Sequence, residues 1–185
     1  NGQTVTLATA LTDSFPNTPF KKYGSGTLIL GANATYAGAT YVYGGTLQVG
    51  TGSAGGAWAT SAAYVASGAS LVFKPSSSAT LSTNVSQDPT SSTSGSVSFV
   101  QAASGDTTTY SGNLANAVAL VEAGPGKLLL TGSASSTGTT TINAGGTLQV
   151  GNASTTGVLN TGVITNNGTL IYNRSDVTNT IAAKI

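Results

Sequence analysis

An internal duplication constrains this chain of 185 residues more than any other feature of its sequence. The heptapeptide Gly-Gly-Thr-Leu-Gln-Val-Gly occurs twice, at residues 44–50 and 145–151. Upstream of it, residues 24–43 match residues 124–143 at 7 of 20 positions. Self-similarity over this length is typical of repeat architectures, in which each unit packs against the next one along the chain.

A shorter period lies inside each copy. A leucine that is followed two residues later by a second apolar side chain recurs about every 20 residues. The two residues of each such pair lie on the same face of an extended strand, because side chains alternate with a period of two. Gly and Asn lie between the pairs, and these residues turn a chain at low steric cost. The leucines are Leu28, Leu47, Leu71, Leu128, Leu148 and Leu170.

Strands this short cannot bury an apolar face alone, but they can when they stack in successive coils. The pattern therefore predicts an all-β fold, a parallel β-helix with about three short strands per turn. Eight or nine turns of ~4.8 Å would form a rod of roughly 40 Å. We expect one unit over residues 1–185, with repeat copies at 20–73 and 120–172 and an irregular excursion at 74–119, within which Ser96–Val100 and Thr109–Leu114 are predicted strands that resume the coil. An antiparallel sandwich with Gly-rich turns is the competing fold.

Composition excludes several classes of function. The chain has no Cys and no His, which removes a disulfide framework, Cys or His zinc sites and His-based catalytic triads. Charged residues make up 6% and the formal net charge is +1, so the sequence disfavours nucleic acid as a partner. No stretch approaches the ~18 apolar residues of a membrane helix, so we expect no membrane insertion. We predict no cofactor and no metal.

The motifs resemble a known family. Gly-x-Gly-x-Leu-x-Leu, a turn, Thr-x-Val/Ile and then Gly-Gly-Thr-Leu-x-Val-Gly are similar to the passenger-associated repeat of bacterial autotransporters, a type V secretion family. Residues 24–50 and 124–151 carry the resemblance most fully. The family often has a Lys before the first Gly, and Glu122 departs from that pattern. The resemblance implies a right-handed parallel β-helix exported through the outer membrane, at the bacterial surface or shed from it, in adhesins and virulence factors.

β-Helices also include polysaccharide lyases and hydrolases, whose sites need clustered carboxylates. The acids of this chain are scattered, and only Asp88 and Asp106 have a spacing that stacking could bring together. We therefore predict no enzymatic activity and keep a carbohydrate-active β-helix as a remote alternative. The acids are Asp13, Asp88, Asp106, Glu122 and Asp176.

Comparison of the two copies indicates a candidate binding patch. Tyr36, Tyr41 and Tyr43 replace small polar residues of the second copy, and Trp58 lies in the following loop. Exposed aromatic residues commonly anchor a partner, here a host-cell surface protein or glycan, and self-association is also possible. The alternative is that the loop at 51–63 covers these rings. We predict a stalk and adhesive region, with a secreted ligand for a specific host receptor as the second candidate.

Overall fold

The computed structural model describes residues 2–13, 15, 17–93 and 95–176, and the described chain is all-β. Its strands are short because Gly and polar corners interrupt them every few residues. The strands are β1 (Thr4–Leu7), β2 (Phe20–Lys22), β3 (Thr27–Leu30), β4 (Thr40–Val42), β5 (Thr46–Val49), β6 (Ala62–Val65), β7 (Ser70–Phe73), β8 (Ala79–Leu81), β9 (Asn84–Gln87), β10 (Ser96–Phe99), β11 (Thr107–Tyr110), β12 (Leu114–Asn116), β13 (Ala119–Glu122), β14 (Lys127–Leu130), β15 (Ser133–Ser136), β16 (Thr140–Ile142), β17 (Thr147–Ser154), β18 (Val158–Leu159), β19 (Ile164–Asn166) and β20 (Thr169–Arg174).

The strands form a β-solenoid of about 8 turns with about three strands per turn, which confirms the predicted parallel β-helix. Every strand pairs in parallel with strands one turn away, because the chain passes around the coil in one direction. The strands belong to three parallel sheets, named here sheet 1, sheet 2 and sheet 3. Along the chain, each turn passes from sheet 1 through the side of sheet 2 to sheet 3. Sheet 1 holds β1, β3, β5, β7, β10, β13, β16 and β19, sheet 2 holds β8, β11, β14, β17 and β20, and sheet 3 holds β2, β4, β6, β9, β12, β15 and β18.

The predicted leucine stacking is present as two columns. Leu47 pairs with Leu28 on one side and with Leu71 on the other, all in sheet 1. The second column pairs Leu148 with Leu128 and Leu170 in sheet 2. Leu47 and Leu148 are fully buried. Each column places aliphatic side chains one above another inside the coil, which removes them from water.

The two repeat copies lie on different faces of the solenoid. The Leu-rich strand β3 belongs to sheet 1, whereas its counterpart β14 belongs to sheet 2. In the same way β4 belongs to sheet 3 and its counterpart β16 to sheet 1. Each strand of the second copy thus lies one sheet further around the coil than its match in the first. Between equivalent strands of the two copies, the chain therefore completes a whole number of turns and then passes one further sheet.

The segment at 74–119 is not an irregular excursion. It contains five strands, β8 to β12, which continue sheets 1 and 3 and begin sheet 2 at β8. Its irregular part is limited to the loops between them. These strands lack the repeated aliphatic pairs because they consist mostly of Ser, Thr, Asn and Ala. The interior is filled there by Val97, Phe99 and Tyr110. Phe99 packs at a ring-centroid distance of 5.3 Å from Phe73 and 5.0 Å from Tyr110.

Candidate functional site

Tyr36 is a core residue and not part of an exposed patch, which corrects its place in the sequence-based prediction. Its side chain is only 3% exposed. The Tyr36 hydroxyl lies 2.6 Å from Thr40 Oγ1 and accepts a hydrogen bond of 2.8 Å from Trp58 Nε1. The counterpart Ser136 is buried too, so this position points inward in both copies. Burial alternates without a break from Ala34 to Val42, so alternation counted back from Val42 places Tyr36 inside the coil.

Trp58 closes the side of the coil over Tyr36. Its ring lies 5.3 Å from that of Phe73, and its backbone forms a parallel bridge with Ala34. Trp58 is half-buried. In this part of the chain the place of sheet 2 is taken by single bridges that join Leu11, Ala34 and Trp58. The loop therefore covers Tyr36, as the alternative interpretation of the patch expected, but it does not cover the other two tyrosines.

Four tyrosines stack on the outside of the solenoid and form what we call the tyrosine ladder: Tyr23, Tyr41, Tyr43 and Tyr64. The ring centroids of Tyr23 and Tyr43 are 4.8 Å apart, and those of Tyr41 and Tyr64 are 4.9 Å apart. Tyr41 and Tyr43 connect the two pairs at 5.8 Å, and all three interplanar angles lie between 11° and 19°. Distances in this range are those of offset-stacked aromatic pairs.

The ladder arises from the register of sheet 3. Tyr41 in β4 is the direct partner of Tyr64 in β6, and alternation turns both rings outward, away from the buried Val42. Tyr23 follows β2 in the preceding turn and is 64% exposed. Sequence reasoning missed Tyr23 and Tyr64, although each lies about one turn from a tyrosine that it identified. The period of about 20 residues that the leucines show points to both, because residues about one turn apart can stack.

The outer face of sheet 3 changes character beyond the ladder. In register with Tyr41, the preceding turn carries Lys21, and the later turns carry Ser86, Ala115 and Ser135. Partial burial raises the pKa of Tyr43, and the nearby Asp88 adds to the shift. The Tyr43 phenol therefore stays neutral at physiological pH. The ladder is therefore a neutral aromatic surface. The cation Lys21 lies at one edge of it, and small side chains lie beyond the opposite edge.

Lys22 and Glu122 occupy the same position of the repeat and use opposite chemistry. The Lys22 ammonium is buried at the corner after β2 and donates hydrogen bonds to three backbone carbonyls. These are the carbonyls of Tyr23 at 2.9 Å, Gly24 at 2.8 Å and Gly44 at 2.9 Å, so Lys22 ties together two successive turns. Charge-assisted bonds of this kind are stronger than neutral ones.

Glu122 is 0% exposed and lies inside the coil between Phe99 and Ile142. Its carboxyl group accepts hydrogen bonds from Gly124 N at 3.2 Å and from Gln101 Nε2 at 3.3 Å. Burial raises the pKa of Glu122 to about 8, and the two hydrogen bonds oppose that rise only in part. The side chain is therefore mostly protonated and neutral at pH 7.

The remaining acids do not assemble a reaction centre within the described residues. Asp88 accepts from Thr90 N at 2.8 Å after a strand of sheet 3, and Asp106 accepts from Ala103 N at 2.9 Å before a strand of sheet 2. The two therefore stabilise different corners of the coil. Within the same part of the chain, no group of three or more acids could hold a metal ion. None of the described segments is a helix that could cross a bilayer.

Comparison with known proteins gives a match to one family. The model of the passenger-associated-transport repeat matches residues 20–49 and residues 120–150. These ranges cover β2 to β5 and most of β13 to β17. Neither the curated proteins nor the solved structures contain a significant match. The chain thus carries two passenger-associated-transport repeats on a β-solenoid, and it fits the passenger domain of an autotransporter.

Proposed function

We propose that this segment is a non-enzymatic part of an exported passenger, which acts at the bacterial surface as a stalk and presents the tyrosine ladder to a host-cell surface protein or glycan. The observation that carries the proposal is the ladder itself. It places four aromatic rings on the outside of a coil that does not need them, because the second copy forms the same turns without them.

The chemistry of the ladder suits binding. Tyrosine supplies a large amphipathic contact area with few rotatable bonds, so little conformational entropy is lost when a partner covers it. The rings are already ordered by stacking on one another, which lowers that loss further. The outer ring of Tyr23 is the most accessible of the four. Lys21, beside Tyr41, adds a positive charge at the edge of the surface.

The stalk role rests on the solenoid. About 8 turns of parallel strands enclose a continuous core, and each turn supports the next through backbone hydrogen bonds. Two observations support the absence of enzymatic activity. The acids are far apart in the coil, and the carboxylates of Asp88 and Asp106 already accept hydrogen bonds from backbone amides of their own loops. An acid-base pair needs two carboxyl groups that face one substrate. These two carboxyl groups instead stabilise the conformations of two separate loops.

The test replaces the ladder residues by their counterparts. Tyr41→Thr, Tyr43→Asn and Tyr64→Thr introduce residues that the second copy carries at the equivalent places. We expect a loss of at least tenfold in affinity for host cells or for an arrayed glycan, since aromatic anchors each contribute ~2 kcal/mol or more. Flow cytometry with labelled protein measures the loss.

Tyr36→Ser is the matched control. It also replaces a tyrosine by its counterpart, but it removes a buried ring and the hydrogen bond from Trp58. We expect this variant to melt at a lower temperature and to keep its binding while folded. Unchanged binding by a stable ladder variant would exclude the ladder as the contact surface and leave the segment as a stalk.

A further inference from the structure

The chain concentrates its oxidisable groups at one place. It contains no Cys and no Met, the side chains that are ordinarily oxidised first, and it has 7 Tyr and 1 Trp. Phenol and indole groups are therefore the main sites at which a one-electron oxidant can act. Four of the phenols lie together in the tyrosine ladder on the outside of the coil. Tyr23, in the ladder, is 64% exposed and is the most accessible of the described phenol and indole groups to an oxidant in the solvent.

The ladder brings these phenols together in pairs from consecutive turns. Tyr41 and Tyr64 are direct partners in adjacent parallel strands, with ring centroids 4.9 Å apart and an interplanar angle of 19°. Tyr23 and Tyr43 form the second pair, at 4.8 Å and 18°. Near-parallel rings at this separation are in van der Waals contact. Holding two reactive groups in contact replaces a collision between molecules by a reaction within one molecule and raises its rate strongly.

We propose that the tyrosine ladder is a site of oxidative cross-linking, at which hydrogen peroxide and a haem peroxidase join stacked tyrosines of consecutive turns into dityrosine. The oxidant removes one hydrogen atom from each of two phenols, and the two phenoxyl radicals form a carbon–carbon bond between ring positions ortho to the oxygens. The two ring hydrogens then move to the oxygens and restore both phenols. One hydrogen peroxide is reduced to two waters for each bond.

The other three tyrosines lack this arrangement in the described part of the chain: Tyr172 makes no ring contact with another tyrosine there, and its hydroxyl oxygen is buried. Tyr36 is buried beside Phe20 and Trp58, and Tyr110 is buried beside Phe99, so neither has a second phenol in ring contact. Tyr36 and Tyr110 are also closed to a peroxidase, because their rings lie inside the coil. The ladder alone among the described aromatic contacts joins tyrosine to tyrosine.

A dityrosine between Tyr41 and Tyr64 would join strands β4 and β6 covalently. A cross-link of this kind restricts the unfolded chain as a disulfide does, and this chain has no cysteine with which to form one. Oxidation would therefore strengthen the stalk at the turns that carry the ladder. This inference does not depend on whether the ladder also binds a host partner.

The experiment treats the whole chain at low concentration with hydrogen peroxide and a haem peroxidase. We expect dityrosine fluorescence, a monomer mass lower by two hydrogens per bond, peptide pairs that contain Tyr41 with Tyr64 or Tyr23 with Tyr43, and a melting temperature raised by several degrees. The double variant Tyr43→Phe and Tyr64→Phe keeps the stacked rings and removes one phenol from each stacked pair. It should reduce the yield of intrachain dityrosine at least tenfold.

Tyr110→Phe is the control that leaves the ladder intact, and its yield should equal that of the unchanged chain. A yield that rises in proportion to protein concentration, with cross-linked dimers as the product, would overturn the proposal. Oxidation that falls mainly on Trp58, or an equal yield from the double phenylalanine variant, would overturn it as well.

Discussion

The two repeat copies form the same strands and corners but differ in what those strands and corners carry. The first has the buried ammonium of Lys22 at its corner and tyrosines on its outer face. The second has the buried carboxyl of Glu122 at the equivalent corner and Thr141 and Asn143 in place of Tyr41 and Tyr43. The inward leucines and the Gly-Gly-Thr-Leu-Gln-Val-Gly segment are common to both. The coil therefore requires the apolar column and leaves the outer face free to vary.

The same comparison shows that a corner needs a polar partner but not a particular sign of charge. Lys22 donates to three partly buried carbonyls at its corner. Glu122 accepts from an amide at the matching corner. Both satisfy backbone groups, as buried polar groups require. Their consequences differ, because an ammonium keeps its charge at neutral pH while a buried carboxyl loses it.

The largest effect should come from charging the leucine columns. Leu148→Asp and Leu47→Asp each place a carboxylate in a fully buried position without a partner. We expect each to lower the free energy of unfolding by about 5 kcal/mol or more, through lost burial and an unpaired charge. Urea unfolding followed by circular dichroism measures the loss. A small loss in one copy alone would show that the two columns are not equivalent.

The next effect depends on pH and distinguishes the two corners. The pKa of Glu122 is raised to about 8, so the folded chain holds a proton that the unfolded chain releases near pH 4.5. Its contribution to stability is complete below that value and is lost as the pH rises through about 8. Relative to Glu122→Gln, the unchanged chain should lose about 4 kcal/mol between pH 4 and pH 9. Parallel stability curves for the two proteins would contradict this assignment.

A smaller effect should follow from removing the ammonium of the first corner. Lys22→Met keeps most of the apolar stem but leaves three carbonyls without their donor. We expect a loss of about 2 kcal/mol, because three charge-assisted hydrogen bonds to partly buried carbonyls are lost. Lys21→Met, on the exposed neighbour, should change the free energy of unfolding by less than about 0.5 kcal/mol. Thermal melting of both variants under one set of conditions compares them, and equal values would remove the proposed role of Lys22.

The smallest effect concerns a glutamine that both copies share. Gln48 Nε2 donates to Gly50 O at 2.7 Å, and Gln149 Nε2 donates to Gly151 O at 2.8 Å. Sequence alternation predicts that Gln149 faces outward and tolerates change, yet it is only 8% exposed. Gln149→Asp removes the donor and should cost about 1 kcal/mol. Gln48→Asp should cost less, since Gln48 is more exposed, and chemical denaturation of both variants gives the difference.

Much of the fold could be predicted because the alternation and spacing of Leu28, Leu47 and Leu71 report directly on an inward column. Between residues 74 and 119 the predicted strands lie close to β10 and β11, whereas β8 and β9 could not be predicted, because polar residues can also occupy a strand whose neighbours supply the core. Tyr41 and Tyr43 were placed correctly on the outer face by the same alternation. Tyr36 is grouped with them only because it also replaces a small polar residue; alternation counted back from Val42 places it inward, as its burial shows.

The repeated strands, their inward leucines and the parallel coil can be derived from the amino-acid sequence, since they follow from local alternation and from a period of about one turn. Which strands share a sheet is seen only in the folded chain. The rotation of the second copy by one side depends on the summed length of every turn between the copies, and no local pattern reports that sum. For the same reason only the stacked coil shows that four tyrosines meet in one ladder and that Glu122 is enclosed between Phe99 and Ile142.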